Sequence, residues 1–247
     1  MPSAKGKQLG PSRSAGGDRD LASVGALVAD RARCQMLVAL GDGQSLPAGR
    51  LAAVAEVSAS TASSHLHKLV AGGLLVVENA GRRRNYRLAD PEVAVLIEAL
   101  ERLAPTLPVR SLGQSQQARA WRQARVCYDH MAGALGVELM RSLLEQGHLG
   151  PVREAVAADP GQARYSVTAA GTAFLETLGV AIPSGRQPVR YHMDSTEDGS
   201  HISGVLGRAL LAGFVDLGWL QRHQRRLRIT SPGRQGFGQQ FGISLGD

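Results

Sequence analysis

The sequence predicts an α+β fold, mainly α with small β-hairpins, and three observations predict it. Apolar residues recur at helical spacing through most of the chain, and short apolar or alternating runs flank turn residues in a few places. In the second half an 18-residue pattern occurs twice without a gap, at 130–147 and 201–218. At 247 residues, 43% of them hydrophobic, the chain can fill two cores. The expected division is a disordered tail over 1–20, a first domain over 21–104, a linker and helix start over 105–120, and a second domain over 121–247.

The tail is rich in Gly, Ser and Lys and cannot bury enough surface to offset chain entropy. It lacks the apolar centre of a signal peptide, and no later run approaches the roughly 20 apolar residues of a membrane span. A cytoplasmic, nucleoid-associated protein with no membrane partner is expected. Two cysteines in unlike surroundings, Cys34 and Cys127, speak against a disulfide scaffold, cannot supply a zinc ribbon, and fit a reducing compartment. The net charge of +7 and pI near 10.1 favour a polyanionic partner. Basic and acidic residues number 13 and 10 up to Pro105, and 15 and 11 beyond it, so local clusters must identify that partner.

Val24, Leu27, Val28, Met36, Leu37 and Leu40 predict one or two helices, stopped by Gly41-Asp42-Gly43. Leu46, Leu51, Val54 and Val57 line one side of a short helix that needs a neighbour. The next helix opens at Ser58, a good N-cap, and stops at Gly72-Gly73. On a helical wheel its Ala62, Leu66, Leu69 and Val70 turn inward. Thr61, Ser64 and Lys68 lie opposite, flanked by Ser60, His65 and His67. A short, donor-rich face of this kind suits the major groove of duplex DNA, where such side chains reach phosphates and base edges without steric bulk. A β-hairpin follows, with an apolar first strand, Gly81 in its turn, and Tyr86 and Leu88 alternating in its second strand. Arg82, Arg83 and Arg84 at its tip have no core to serve and suit phosphate contact. Asp90 with Pro91 then opens a helix whose Val93, Leu96, Ile97, Leu100 and Leu103 form a stripe too wide for a free surface helix.

Residues 21–103 resemble the winged helix-turn-helix domain of the ArsR-type repressor family. The matching pieces are ADRARCQMLVAL before the reader, LAAVAEVSASTASSHLHKLVAGGLL for the two-helix reader, and GRRRNYRLAD for the wing. Ser60, Thr61, Ser63 and His65, followed by Leu66, form the most specific part. The resemblance implies that the helix after Ser58 enters the major groove, with Ser60, Thr61, Ser63, Ser64, His65, His67 and Lys68 as contacts. It also implies a homodimer formed through the helices at Ala22 and Glu92. The family's metal sensors carry paired cysteines in the helix before the reader. Here that stretch is LPAGRLAAVAEV, without thiol or imidazole, which excludes metal sensing at that helix. Cys34 reads as a small buried hydrophobe one helix earlier.

In the second half, HMAGALGVELMRSLLEQG and HISGVLGRALLAGFVDLG share a His, three glycines and two leucines. Each copy continues into a hairpin ending in Thr (Thr168, Thr230) and a helix after a Gly (Gly171, Gly233). The expected module is two duplicated, winged-helix-like helix-hairpin-helix units, 127–180 and 190–243. They should pack around a pseudo-two-fold axis with Leu135, Leu139 and Leu143 against Leu206, Leu210 and Phe214. Arg222, Arg225, Arg226 and Arg228 leave two readings of the second hairpin: a further DNA contact, or a charged hairpin that is merely solvated.

Cys127 and His130 are the candidate ligands for a metal or a haem, read as three apart on one helix face. His148, His192 and His201 are further donors that no spacing places. In the ungapped repeat His201 answers His130 and Asp198 answers Cys127. The favoured reading therefore has each His capping or hydrogen-bonding the start of its helix, with no metal and no cofactor. No Gly-rich phosphate loop, nucleophile elbow or paired-His metalloprotease motif is present, so no enzyme is expected. The expected function is a DNA-binding transcriptional regulator, a homodimeric repressor released by a small-molecule effector. The alternative is a protein-interaction scaffold that uses the same fold without touching DNA.

Overall fold

The computed structural model describes residues 18–80, 83–151, 165–182 and 189–244. They fall into two compact units, with the boundary between Val93 and Ala94.

In the first unit, α1 (Leu21–Val28) and α2 (Arg31–Ala39) are separate helices. Asp30 divides them: its backbone is extended and its carboxylate caps α2 by accepting the Arg33 N–H at 2.9 Å. A short β1 (Leu46–Pro47), not expected from the sequence, precedes α3 (Ala48–Val54). The reader is α4 (Ala59–Ala71), capped by Ser58 as expected and left through Gly73 at φ 74. β2 (Leu75–Ala80) and β3 (Arg83–Leu88) form an antiparallel hairpin, and β1 adds to the outer edge of β3. Met36, Leu37, Leu51, Leu66, Leu69 and Leu88 make the core, at 1% exposure or less. Val54, expected on the inner side of α3, is instead exposed, and Cys34 is half-buried rather than buried.

The helix α5 (Pro91–Leu103) starts where the Asp90 carboxylate accepts the Glu92 N–H at 2.9 Å. The unit boundary lies within α5 rather than beyond it, because Glu98 on this helix is buried among partners from the second half.

The second unit continues through α6 (Leu112–Gln123), β4 (Arg125–Cys127), β5 (His130–Ala132), α7 (Ala134–Glu145), β6 (Leu149–Pro151), β7 (Tyr165–Val167) and α8 (Ala169–Thr177). It closes with β8 (Arg190–Met193), β9 (Ser200–Ser203), α9 (Gly204–Asp216), β10 (Leu220–His223), β11 (Arg226–Ile229) and α10 (Ser231–Phe241). The order hairpin, helix, hairpin, helix thus occurs twice. Strand pairing crosses between the two sets: β11 joins β4 in the sheet β10-β11-β4-β5, and Tyr165 at the start of β7 bridges Val189 just before β8. The helices cross as well, with α7 lying on β9 and α9 on β5. Leu135, Leu139, Leu143, Leu206, Leu210 and Phe214 share one apolar core.

Two glycines permit this crossing. A Cβ on Gly136 of α7 would stand 3.2 Å from the Cβ of His201, and one on Gly207 of α9 would stand 2.8 Å from the Cβ of His130. Each helix therefore approaches the other hairpin's histidine as closely as a glycine allows.

Candidate functional site

The first unit presents the face expected of a groove reader. On α4, Ala62, Leu66 and Leu69 are buried, while Ser60, Thr61, Ser63, Ser64, His67 and Lys68 are exposed. The Ser58 hydroxyl accepts the Thr61 N–H at 3.2 Å and lies 2.8 and 2.9 Å from the Thr61 and Ser60 hydroxyls, so the first turn is internally braced. His65 is placed differently. It is half-buried, with Nδ1 3.5 Å from both Asp30 and Arg33, and it fixes α4 to α2 rather than opening to solvent. Of the wing arginines, Arg84 is exposed on β3 and the Arg83 backbone starts that strand, opposite Ala80. Arg82 lies outside the described residues.

The second unit gathers four side chains that are distant in sequence. Cys127 and His130 are cross-strand partners on β4 and β5, and His192 and His201 are cross-strand partners on β8 and β9. Paired positions put both side chains on one face of a hairpin. One donor atom from each of the four lies within 4.8 Å of every other. Each imidazole has a carboxylate at Nδ1: Asp129 at 3.2 Å from His130, Glu98 at 2.9 Å from His192, and Asp194 at 3.1 Å from His201. The Cys127 thiol donates to Glu98 at 3.1 Å. Beneath the cluster Arg125, wholly buried, donates to Glu98 at 3.1 Å and to Asp194 at 2.8 Å.

The electrostatics follow from burial. Burial, reinforced by the Glu98 charge, pushes the Cys127 thiol well above its ordinary value, and burial pulls His130 down to about 4 and His201 below the usual imidazole range. Burial alone would raise Glu98, but the hydrogen bond from His192 and the positive field around it hold this carboxyl down at about 2. At neutral pH His130 and His201 are thus uncharged, each with one nitrogen lone pair to offer.

Comparison with known proteins identifies the family. A helix-turn-helix domain model matches residues 28–78. The uncharacterized HTH-type transcriptional regulator YdfF of Bacillus subtilis is 37% identical over 232 residues, covering 92% of this chain and 99% of that protein. This chain belongs to the family of HTH-type transcriptional regulators. The regulator is also similar to the HTH-type transcriptional regulator CmtR of Mycobacterium bovis, 45% identical over 74 residues, covering 30% of this chain and 62% of that one. Among solved structures, the homodimeric winged helix-turn-helix fragment of Mb0332 from Mycobacterium bovis, described as a possible ArsR-family regulator, is 28% identical. It covers 36% of this chain and 88% of that chain with a TM-score of 0.31. The chain is a DNA-binding transcriptional regulator. Among its described residues, no helix is long and apolar enough to cross a membrane.

Three sequence expectations for the regulator need correction. Cys127 and His130 do not share a helix: α6 ends at Gln123, and they face each other across a two-residue turn in which Tyr128 takes a positive φ of 58. His130 and His201 do not cap their helices: the cap positions are Gly133 and Ser203, neither with a side-chain cap hydrogen bond. The residue that answers Cys127 is His192 rather than Asp198. With His130 equivalent to His201, the strand register makes Arg125-Val126-Cys127 equivalent to Arg190-Tyr191-His192. A turn six residues longer between His192 and His201 hid this from an ungapped comparison; a gapped one aligning the two Arg-X-(Cys/His) strands would have found it. His148, the other candidate donor, stacks on Phe174 at 4.1 Å, away from the cluster. In the second hairpin Arg225 is buried over Trp121, with its guanidinium 3.7 Å from Glu101, so that arginine serves the fold.

Proposed function

We propose that the regulator is a cytoplasmic homodimeric repressor whose two α4 helices read DNA half-sites about one helical turn apart, roughly 34–36 Å. The observation that carries this reading is the α4 face: six exposed donor residues, Ser60, Thr61, Ser63, Ser64, His67 and Lys68, backed by a rigid apolar side. Ser64 and His67 sit where base edges are read, His65 positions the helix, and Arg82, Arg83 and Arg84 clamp phosphates. Dimerisation through α1 and α5 is supported by what they leave uncovered: α1 buries none of its residues, Leu21 is 77% exposed, and Leu103 is 84% exposed. The second half is a duplicated module that receives a releasing effector and performs no catalysis. The matched helix caps Thr168 and Thr230, both at φ −78 and ψ 168, support the duplication.

The test is binding of the full chain to a palindromic fragment of its own promoter, read by fluorescence anisotropy against salt. Replacing Arg82, Arg83 and Arg84 together with Ala is expected to weaken all duplexes alike and to flatten the log–log salt slope by up to about 0.9 for each phosphate no longer neutralised. Ser64→Ala and His67→Ala are expected to change sequence preference with the slope unchanged. A slope unaffected by the triple replacement refutes the wing assignment.

A further inference from the structure

We propose that Cys127, His130, His192 and His201 bind one divalent transition-metal ion of the zinc class in each protomer, between the two hairpins of the second unit. One thiolate and three imidazoles make a mixed soft and borderline donor set of the number that tetrahedral zinc takes.

The side chains are already arranged as ligands. Zinc-bound histidines hold their second nitrogen against a carboxylate or carbonyl, which fixes the ring and its tautomer. Here His130 and His192 do so through Nδ1, with Asp129 and Glu98, and the Nδ1 of His201 lies 3.1 Å from Asp194, which leaves Nε2 of each for the metal. With Nδ1 donating, His130 Nε2 and His192 Nε2 both present lone pairs, and they face each other at 3.0 Å. Two acceptors at that distance repel unless a proton or a cation lies between them. A tetrahedral site with metal–nitrogen bonds of about 2.0–2.1 Å places its nitrogens about 3.3 Å apart, close to the distance observed.

The second observation is His201. It is 0% exposed, and neither ring nitrogen has an aligned hydrogen-bond partner. Its Nδ1 is near Asp194, though off the hydrogen-bonding line. Its Nε2 lies 3.8 Å from Glu98. A buried imidazole with an open Nε2 beside two other imidazoles and a thiol is placed to donate to a metal. Binding replaces the Cys127 S–H bond with a metal–sulfur bond, and the proton leaves to solvent.

The test is titration of the metal-free full chain with Co²⁺, followed by displacement with Zn²⁺. Wild type is expected to saturate at one equivalent per protomer, with a thiolate-to-cobalt charge-transfer band and visible bands of tetrahedral intensity. Cys34→Ser and His148→Gln are expected to leave the spectrum intact, whereas Cys127→Ser abolishes the charge-transfer band. His201→Gln should lower affinity by more than the 10–100-fold typical of losing a supporting carboxylate, as in Glu98→Gln. The thermal melt of each metal-free variant reports whether it folds. Should Cys127→Ser not fold, His192→Cys adds a second thiolate at the equivalent strand position and is expected to increase the charge-transfer band about twofold. No saturable binding, a charge-transfer band that survives Cys127→Ser or is unmoved by His192→Cys, or full affinity in His201→Gln overturns the proposal.

Discussion

Replacing Gly207 with alanine tests the crossed packing of the second unit at its tightest point. The added Cβ would stand 2.5 Å from the Ile202 carbonyl oxygen and 2.8 Å from the His130 Cβ, and neither atom is the end of a flexible side chain. Inserting a methyl into a packed site of this kind costs about 1–3 kcal/mol, while exchanging Gly for Ala inside a helix returns about 0.5–1 kcal/mol. The net expectation is a loss of about 0–2.5 kcal/mol, centred near 1 kcal/mol, which is roughly 2–4 °C in Tm for a unit of this size. Both tryptophans, Trp121 and Trp219, belong to the second unit, so intrinsic fluorescence reads its melting directly. Gly113→Ala is the control: a Cβ there meets nothing within 4 Å, so the helix-propensity gain should appear alone and raise Tm slightly. The opposed signs are the diagnostic. If both variants shift Tm in the same direction by similar amounts, Gly207 does not hold α9 against the His130 strand.

Two further perturbations address other parts of the molecule. Arg125→Met leaves Asp194 and Glu98 buried without their shared cation and is expected to destabilise the second unit by about 3–5 kcal/mol, with partial rescue by adding Asp194→Asn, both read by the same fluorescence melt. Ser58→Ala removes the α4 cap and should cost the first unit about 1 kcal/mol by circular dichroism; Ser58→Asp should restore stability yet weaken DNA binding, because its charge faces phosphate.

Much of the first unit was legible because its signals are local. Ser58 and Gly72-Gly73 bracket α4, and the spacing of Ala62, Leu66 and Leu69 fixes which face is buried. His65 was not legible: helical position puts it beside the reading face, and only the tertiary approach of Asp30 and Arg33 turns it inward. In the second unit the helices and their Thr caps were legible for the same local reasons. The β4–β5 hairpin was not. A two-residue turn usually announces itself by Asn-Gly or Asp-Gly, since a positive φ is costly elsewhere. Here Tyr128 takes that conformation, and the turn reads as a continuation of the preceding helix. Reading Cys127 and His130 on a helix preserved their closeness and lost their partners.

The proposed metal site also gives a reason why a regulator would keep two similar sets of hairpins and helices in its second half. One hairpin offers two side chains on one face, too few to enclose a tetrahedral ion. The second hairpin offers two more, and the glycine at the matching position of each helix brings the histidine strands close enough for the four donors of the proposed site to lie together. The equivalent residues Cys127 and His192 differ, and both bond to the same oxygen of Glu98, which comes from α5 and from neither hairpin. A metal bound at the proposed site would displace the Cys127 proton to solvent, removing one of the two donors to that oxygen and leaving the other in place. Glu98 is therefore the group whose bonding must change when the site fills, and it lies on the helix that begins beside the wing strand at Pro91.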